Sequence, residues 1–406
     1  MAEAERTLLS KKNYPNVLNY VYDHRGVTFE RHPFSLLDYL VFASIAYIPF
    51  EEFEKTNEDF EPKPLSDLMM DYLSWLTVDK LDIDFPNWMR NTLFLAMSLL
   101  YTTRYQKVRV TRFRYVFDEA EQTQFGALLF TLPDHTITIA YRGTDNSILG
   151  WKEDFAMAVS ESVAGQKLAD SFLQEALLRN KGKQFTITGH SKGANFAVYA
   201  ASHLKKKQVS NLLSIYSFDG PGLSESEFHS EGHQRIRSRI VHVVPKDDAI
   251  GTLLYHETPT IIVDAGSKKD EGDFAQQHDS YTWKVNGDEL VQVSELTSAS
   301  RFVTASLNEW IGQMQPSQRK DLVSALFEIV EKAGVERSNE VYEHFASFAP
   351  KFIYYAGAID RSDKKIVVDA TITLFGIFAK NLPLYFQKYR KTSVRKNIRR
   401  IRKSEA

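Results

Sequence analysis

The sequence predicts an α/β fold: a mostly parallel central sheet with helices on both faces, extended by helices at its C-terminal end. Three features of the 406 residues carry this expectation. From residue 112 short β-branched runs alternate with helical ones. One of these runs ends in Gly189-His190-Ser191-Lys192-Gly193 and passes directly into a helix-forming segment. After residue 298 only the helical period remains. The chain is too long for one core of ordinary size, so two domains, or one large domain with additions, are expected. Its parts are an N-terminal extension (1–33), the α/β domain with its N-terminal helices (34–297) and a C-terminal helical region with a basic tail (298–406).

Residues 34–50, 65–76 and 88–101 carry Leu, Met and aromatic residues at helical spacing. The acids between Glu51 and Glu61 read as a solvated loop. Residues 112–117, 126–132 and 136–141 are strand-like, with the turn Pro133-Asp134-His135 between the last two. Helices follow at 151–159 and 164–179, and Asn180-Lys181-Gly182 ends the second. The strand 184–188 leads into the Ser191 turn, and a helix over 195–206 leaves it. A strand at 212–218 stops at Asp219-Gly220-Pro221-Gly222. Further strands are expected at 239–244 and 260–263, and at 281–285 and 290–293 around the hairpin signal Asn286-Gly287. Helices at 302–314, 319–333 and 341–352 complete the pattern.

Gly-X-Ser-X-Gly between a strand and a helix is the pattern of a nucleophile elbow. The turn holds a serine hydroxyl at the top of a sheet, and side chains at either glycine would crowd its neighbours. The helix that follows points its free N–H groups toward a developing oxyanion. A serine hydroxyl is a weak nucleophile and needs a histidine base oriented by an acid. In this topology both partners lie downstream of Ser191, at strand ends. For the acid, Asp248 in Pro245-Lys246-Asp247-Asp248 leads, with Asp219 and Asp247 as rivals. For the base, His278 leads and His256 is the main rival. His190 stands beside the serine, so its side chain points away, and His242 is mid-strand. Oxyanion donors are expected from the Lys192 amide and from Thr144, which ends a strand in Arg142-Gly143-Thr144.

Tyr141-Arg142-Gly143-Thr144, Trp151, Asp154, Gly189-His190-Ser191-Lys192-Gly193-Ala194-Asn195, Asp248 and His278 together resemble the class 3, fungal-type lipase arrangement. They resemble more closely the bacterial Mbeg1-like proteins of the α/β-hydrolase superfamily. Phe218-Asp219-Gly220-Pro221-Gly222 and His278-Asp279-Ser280-Tyr281-Thr282-Trp283 add to that likeness, which spans about residues 30–295. The resemblance implies an α/β-hydrolase fold, a Ser191–His278–Asp248 triad of serine esterase or lipase type, and no cofactor. The sequence departs from the lipase pattern at Lys192, where leucine is usual, and at Asn195, where small residues are common. The interval from Asp248 to His278 is also shorter.

No cysteine is present, so disulfides, thiolate metal sites and a cysteine nucleophile are excluded. A formal net charge of −2 gives no global preference for nucleic acid. The N-terminus lacks a basic region followed by an apolar core, and a cytoplasmic location is expected. The apolar segment 366–386 is broken by Asp369, Lys380, Asn381 and Pro383 and reads as a buried or interfacial helix. Beyond it, Lys388, Arg390, Lys391, Arg395, Lys396, Arg399, Arg400, Arg402 and Lys403 crowd a helix whose Val394, Ile398 and Ile401 share one side. That tail is a candidate contact for an anionic membrane surface. It has no aromatic interleaving or nucleic-acid motif, so nucleic acid is not an expected partner. The expected partner at Ser191 is a small-molecule or lipid ester. The competing reading is an α/β-hydrolase-like module that binds a lipid or protein without catalysis.

Overall fold

The computed structural model describes residues 14–55, 59–76, 87–145, 147–256, 260–267, 271–335 and 345–404. An eight-stranded sheet runs in chain order: β1 (Lys63–Pro64), β2 (Arg109–Asp118), β3 (Thr123–Thr131), β4 (Ile137–Tyr141), β5 (Phe185–His190), β6 (Leu212–Phe218), β7 (Ile240–Pro245) and β8 (Ile261–Val263). The first four strands pair antiparallel, and β4 through β8 pair parallel.

The two faces follow from strand alternation. On β3, Phe125, Ala127 and Leu129 enter one core, and Leu128 and Phe130 enter the other. The first core is closed by the connections between parallel strands. These are α5 (Ile148–Val159), α6 (Ala164–Arg179) and α7 (Lys192–Ser202), with Phe172, Leu173, Phe196 and Ala200 fully buried. Parallel strands in sequential order, joined by crossovers of one hand, put those helices on one side of the sheet. The other side needs a separate cover. It comes from α1 (Val17–Asp23), α2 (Leu36–Ile45), α3 (Leu65–Trp75) and α4 (Asn87–Leu100).

Residues 17–23, which the sequence places in the N-terminal extension, pack into this layer. Val17, Leu18, Tyr20 and Val21 of α1 are buried in the main core. A buried ion pair ties this layer together. Arg104 donates from Nε and from a terminal guanidinium nitrogen to Asp38, at 2.9 and 2.6 Å. The Tyr20 and Tyr105 hydroxyls donate to the same carboxylate at 2.9 and 2.7 Å. Every acceptor is satisfied, the condition for burying charge at tolerable cost.

The hairpin at Asn286-Gly287 forms with shorter strands than expected, β9 (Val285–Asn286) and β10 (Glu289–Leu290). Gly287 has φ +61°, as such turns require. Residues Ser280–Thr282 form a 3-10 turn instead of a strand.

From residue 298 the chain is helical: α8 (Ser298–Gln313), α9 (Pro316–Lys332), α10 (Phe345–Ala356) and α11 (Arg361–Ser404). Thr297 caps α8 through its side chain, and Pro316 opens α9 where its missing N–H does no harm. Residues 341–344 of the expected third helix lie outside the described residues. So do the side chains of the basic tail, including Val394, Ile398 and Ile401. Among the described residues, the segment Arg361–Phe386 is long and apolar enough to cross a membrane, with mean hydropathy 1.4 over its best window. It is not a buried helix, because only 6% of that window is enclosed.

Candidate active site

The elbow forms because its glycines permit contacts that no other residue would. Ser191 sits at φ +57°, a conformation that side-chain-bearing residues rarely adopt. A Cβ at Gly189 would lie 2.3 Å from the Gly193 carbonyl, and one at Gly193 would lie 2.2 Å from the Tyr141 carbonyl oxygen. The strand end and the helix start are thus pressed against each other and against β4. Backbone strain held this way is characteristic of functional positions.

The Ser191 hydroxyl lies 3.0 Å from His278 Nε2, and His278 Nδ1 lies 2.7 Å from Asp219 Oδ2. A hydroxyl, an imidazole and a carboxyl, remote in the chain, stand in one hydrogen-bonded line. With Nδ1 protonated the ring donates to Asp219, and Nε2 is free to accept from the serine. His278 ends the short helix Phe274–His278.

The acid on this line is Asp219, not Asp248. Asp219 ends β6, the strand beside the elbow strand, at φ +50°. Asp248 is engaged within its own loop. It accepts from the amides of Ile250, Gly251 and Thr252 at 2.8, 2.8 and 2.9 Å and from the Thr252 hydroxyl. Burial opposes its charge, but these bonds and its contact with Asp219 outweigh burial and hold its pKa below the usual carboxylate value. Its loop in turn holds Asp219, whose Oδ1 accepts the Gly251 amide at 3.1 Å. Burial, with the adjacent Asp248 charge, pushes the Asp219 carboxyl well up, so its charge depends on the N–H donors of Gly251 and His278 that face it. Asp247 accepts from the Asp273 amide at 2.7 Å and the Thr297 hydroxyl at 2.5 Å, a structural clasp between loops.

The other histidines have different work. His242 is buried between the Ser217 hydroxyl (3.1 Å) and the Gly251 carbonyl (2.9 Å). His256 packs its ring 5.2 Å from that of His242. His190 turns away from Ser191. Its Nε2 donates to the His278 carbonyl at 2.9 Å, and its Nδ1 accepts from Tyr47 at 2.9 Å. Burial pushes its pKa down to about 3, with the neighbouring His278 adding to the effect. A neutral imidazole there fixes the backbone of His278.

Thr144 does not present a free hydroxyl. It donates to Asp154 at 2.6 and 2.8 Å, leaving its amide as the donor it can offer. Burial raises the Asp154 carboxyl to about 7, against the Lys192 charge and the Thr144 bond, which both pull it down. The 143–144 backbone abuts the elbow, since a Cβ on Gly143 would meet the His190 carbonyl oxygen at 2.6 Å. The Lys192 amide opens α7, where helix amides have no carbonyl of their own to meet.

Three residues that the sequence marked as motif or departure prove to hold this site in place. Arg142 donates from Nε to the Ala46 carbonyl (2.6 Å), and its terminal nitrogens reach the Ile48 carbonyl (2.5 Å) and Glu51 (2.6 and 2.9 Å). It anchors the segment that carries Tyr47 over the elbow, so Glu51 is not a solvated loop residue. Asn195 donates to the Gly222 carbonyl (2.7 Å) and accepts from Gln166 (2.8 Å), which fixes the turn after Asp219. The Lys192 side chain is fully buried. It donates to Glu153 (2.9 Å), the Gln124 side chain (2.8 Å) and the Gln124 carbonyl (3.0 Å). Tyr47 carried no signal in the sequence beyond helical periodicity.

Residues 99–328, more than half of the chain, match the Mbeg1-like family. The chain belongs to the Mbeg1-like family. No curated protein matches it. Solved structures similar to this Mbeg1-like protein include a mono- and diacylglycerol lipase from Aspergillus oryzae. That match has 15% identity and TM-score 0.37, and covers 64% of this chain and 86% of the lipase. A lipase from Rhizopus microsporus var. chinensis matches at 17% identity and TM-score 0.33, over 59% of this chain and 75% of the lipase.

Two results follow from the geometry of this Mbeg1-like site. Lys192→Met leaves Glu153 charged and buried without its cation. The variant is expected to lose about 3–5 kcal/mol of stability in urea unfolding. Adding Glu153→Gln, which keeps an acceptor for the Gly165 amide (2.9 Å) and the Thr123 hydroxyl (2.5 Å), recovers part of that loss.

The second result concerns pH. Burial lowers the His278 pKa to about 4, with the Asp248 charge opposing. A base must be neutral, and protonation as pH falls removes it. The acid limb of kcat/KM is therefore expected well below the ordinary imidazole value of about 6.5, with a plateau through neutral pH. A pH–rate profile with its acid midpoint at or above that value contradicts this reading.

Proposed function

We propose that this protein is a serine hydrolase that cleaves carboxylic esters through an acyl-enzyme. The single observation that carries the reading is the unbroken line from the Ser191 hydroxyl through His278 to Asp219, at 3.0 and 2.7 Å. Ser191 Oγ attacks the ester carbonyl carbon while His278 Nε2 takes its proton. The carbonyl oxygen becomes an oxyanion, which the amides of Lys192 and Thr144 stabilise. Collapse breaks the carbon–oxygen bond to the alcohol, and His278 returns the proton to the leaving oxygen. Water then enters by the same route: His278 takes its proton, its oxygen attacks the acyl carbon, and Ser191 leaves with the proton restored. Asp219 holds the ring in the required tautomer and balances the imidazolium that forms twice in the cycle.

The substrate class is a carboxylic ester, either a small molecule or a lipid. Turnover of p-nitrophenyl esters from acetate to palmitate tests the reading with the intact chain. Steady release of p-nitrophenol on at least part of the series is expected. No release above buffer on any member would instead favour a binding module built on the same fold.

A further inference from the structure

One face of α11 is apolar, exposed and continuous. Val368, Ile372, Phe375, Ala379, Leu382 and Phe386 follow at intervals of four and three residues, so they share one side of the helix. All are exposed, Ile372 and Phe375 by 64% and 67%. The stripe is about 27 Å long at 1.5 Å per residue and contains no charge. Ile353 and Tyr354 on the adjoining α10 are each 72% exposed. Apolar side chains scattered singly over a surface call for no explanation, but a row of this length does.

The opposite face of α11 is packed on the protein. Trp310 Nε1 on α8 donates to the Ala370 carbonyl at 2.9 Å, and the Phe302 ring lies 5.3 Å from Phe378. Asn381 reaches Ser306 and Glu309, at 3.3 and 3.2 Å, and Ile377 is buried. α8 is in turn bolted to the body. Asn308 bonds the backbone of Leu254 and Thr252 (2.8 and 3.0 Å), and Ser300 donates to the Asp248 carbonyl (2.6 Å). A helix crossing a bilayer alone would forfeit these contacts. A helix lying along the surface keeps all of them and still buries the stripe.

Charge selects the partner. Residues 387–404 hold nine Lys and Arg and no acid, and they continue the same helix. A second copy packed parallel on the stripe would bring two such cationic segments together, and an antiparallel copy would offer them no anionic surface. An anionic lipid surface supplies the opposite charge and an apolar layer in which the stripe can sit. We propose that α11 docks this protein in the plane of an anionic phospholipid membrane, with the 368–386 stripe in the acyl boundary and the basic segment on the headgroups. This inference rests on α11 and not on the chemistry at Ser191.

Sedimentation of the full chain with vesicles tests it. Binding to phosphatidylcholine vesicles with 30 mol% phosphatidylglycerol, a composition chosen at roughly physiological anionic content, is expected to exceed binding to pure phosphatidylcholine by at least ~10-fold and to weaken as salt rises. Ile372→Glu with Phe375→Glu is expected to abolish vesicle binding while leaving turnover of a water-soluble ester unchanged. Leu178→Glu, which changes an exposed apolar residue on α6, is expected to bind as the parent does. Ser191→Ala is also expected to bind vesicles fully, which separates this inference from the proposed reaction. Equal binding of the parent and the double variant overturns the proposal. So does an absence of vesicle binding, whether or not light scattering reveals a dimer that the double variant dissolves.

Discussion

Ser191→Ala is expected to lower p-nitrophenyl ester turnover by about 10⁶-fold, to the background of the buffer. The size follows from what the alanine removes. Ser191 Oγ supplies the bond to the acyl carbon, and among the described residues no other hydroxyl is placed on His278 Nε2. Without that hydroxyl, His278 has only water to activate. The backbone at residue 191 is fixed by contacts that do not involve its hydroxyl. Its amide donates to the Phe218 carbonyl at 2.9 Å, and its own carbonyl accepts the Ala194 amide at 2.9 Å. The variant should therefore melt with the parent, which assigns the lost rate to chemistry. A loss below about tenfold would place the nucleophile elsewhere.

The second large effect separates two aspartates. Asp219→Asn is expected to cost roughly 10³- to 10⁴-fold in kcat, because an amide facing Nδ1 selects the wrong tautomer and removes the charge that balances the imidazolium. Asp248→Asn is expected to cost turnover about tenfold or less per folded molecule, because its carboxyl does not receive the His278 bond. Its main effect is on stability, since an amide oxygen can satisfy fewer of the donors gathered at residues 250–252. It should also move the acid limb of the pH profile. The Asp248 charge raises the His278 pKa, so its removal lowers that pKa and shifts the limb to lower pH. The reverse ranking, with Asp248→Asn the more damaging in kcat, would return the acid to the loop after β7.

The elbow was legible in the sequence because it is a local signal. Gly189, Ser191 and Gly193 are spaced by the sterics of one turn, whereas chain order singled out His278, before an expected strand that proves to begin as a 3-10 turn. The acid was not legible. Asp219 and Asp248 both follow parallel strands, and chain order admits either. What separates them is the φ +50° conformation at Asp219, which aims its carboxyl at the ring, and the three amides that close on Asp248.

The second layer of the sheet was half legible. Periodicity marks α2, α3 and α4, but nothing local says that α1 belongs to the same core. That depends on Asp38, Tyr20 and the adjacent pair Arg104 and Tyr105 meeting from three segments. Lys192 and Asn195 are similar cases. Each looks like a departure at the elbow, and each is explained by a partner that only the folded chain supplies, Glu153 in one case and the Gly222 carbonyl in the other.

The most direct test of the account is reaction of the intact chain with a fluorophosphonate, followed by mass measurement and peptide mapping. The account predicts one adduct per chain, on Ser191, forming at neutral pH and slowing sharply in His278→Ala. A chain that remains unmodified, or an adduct on a different serine, would contradict it.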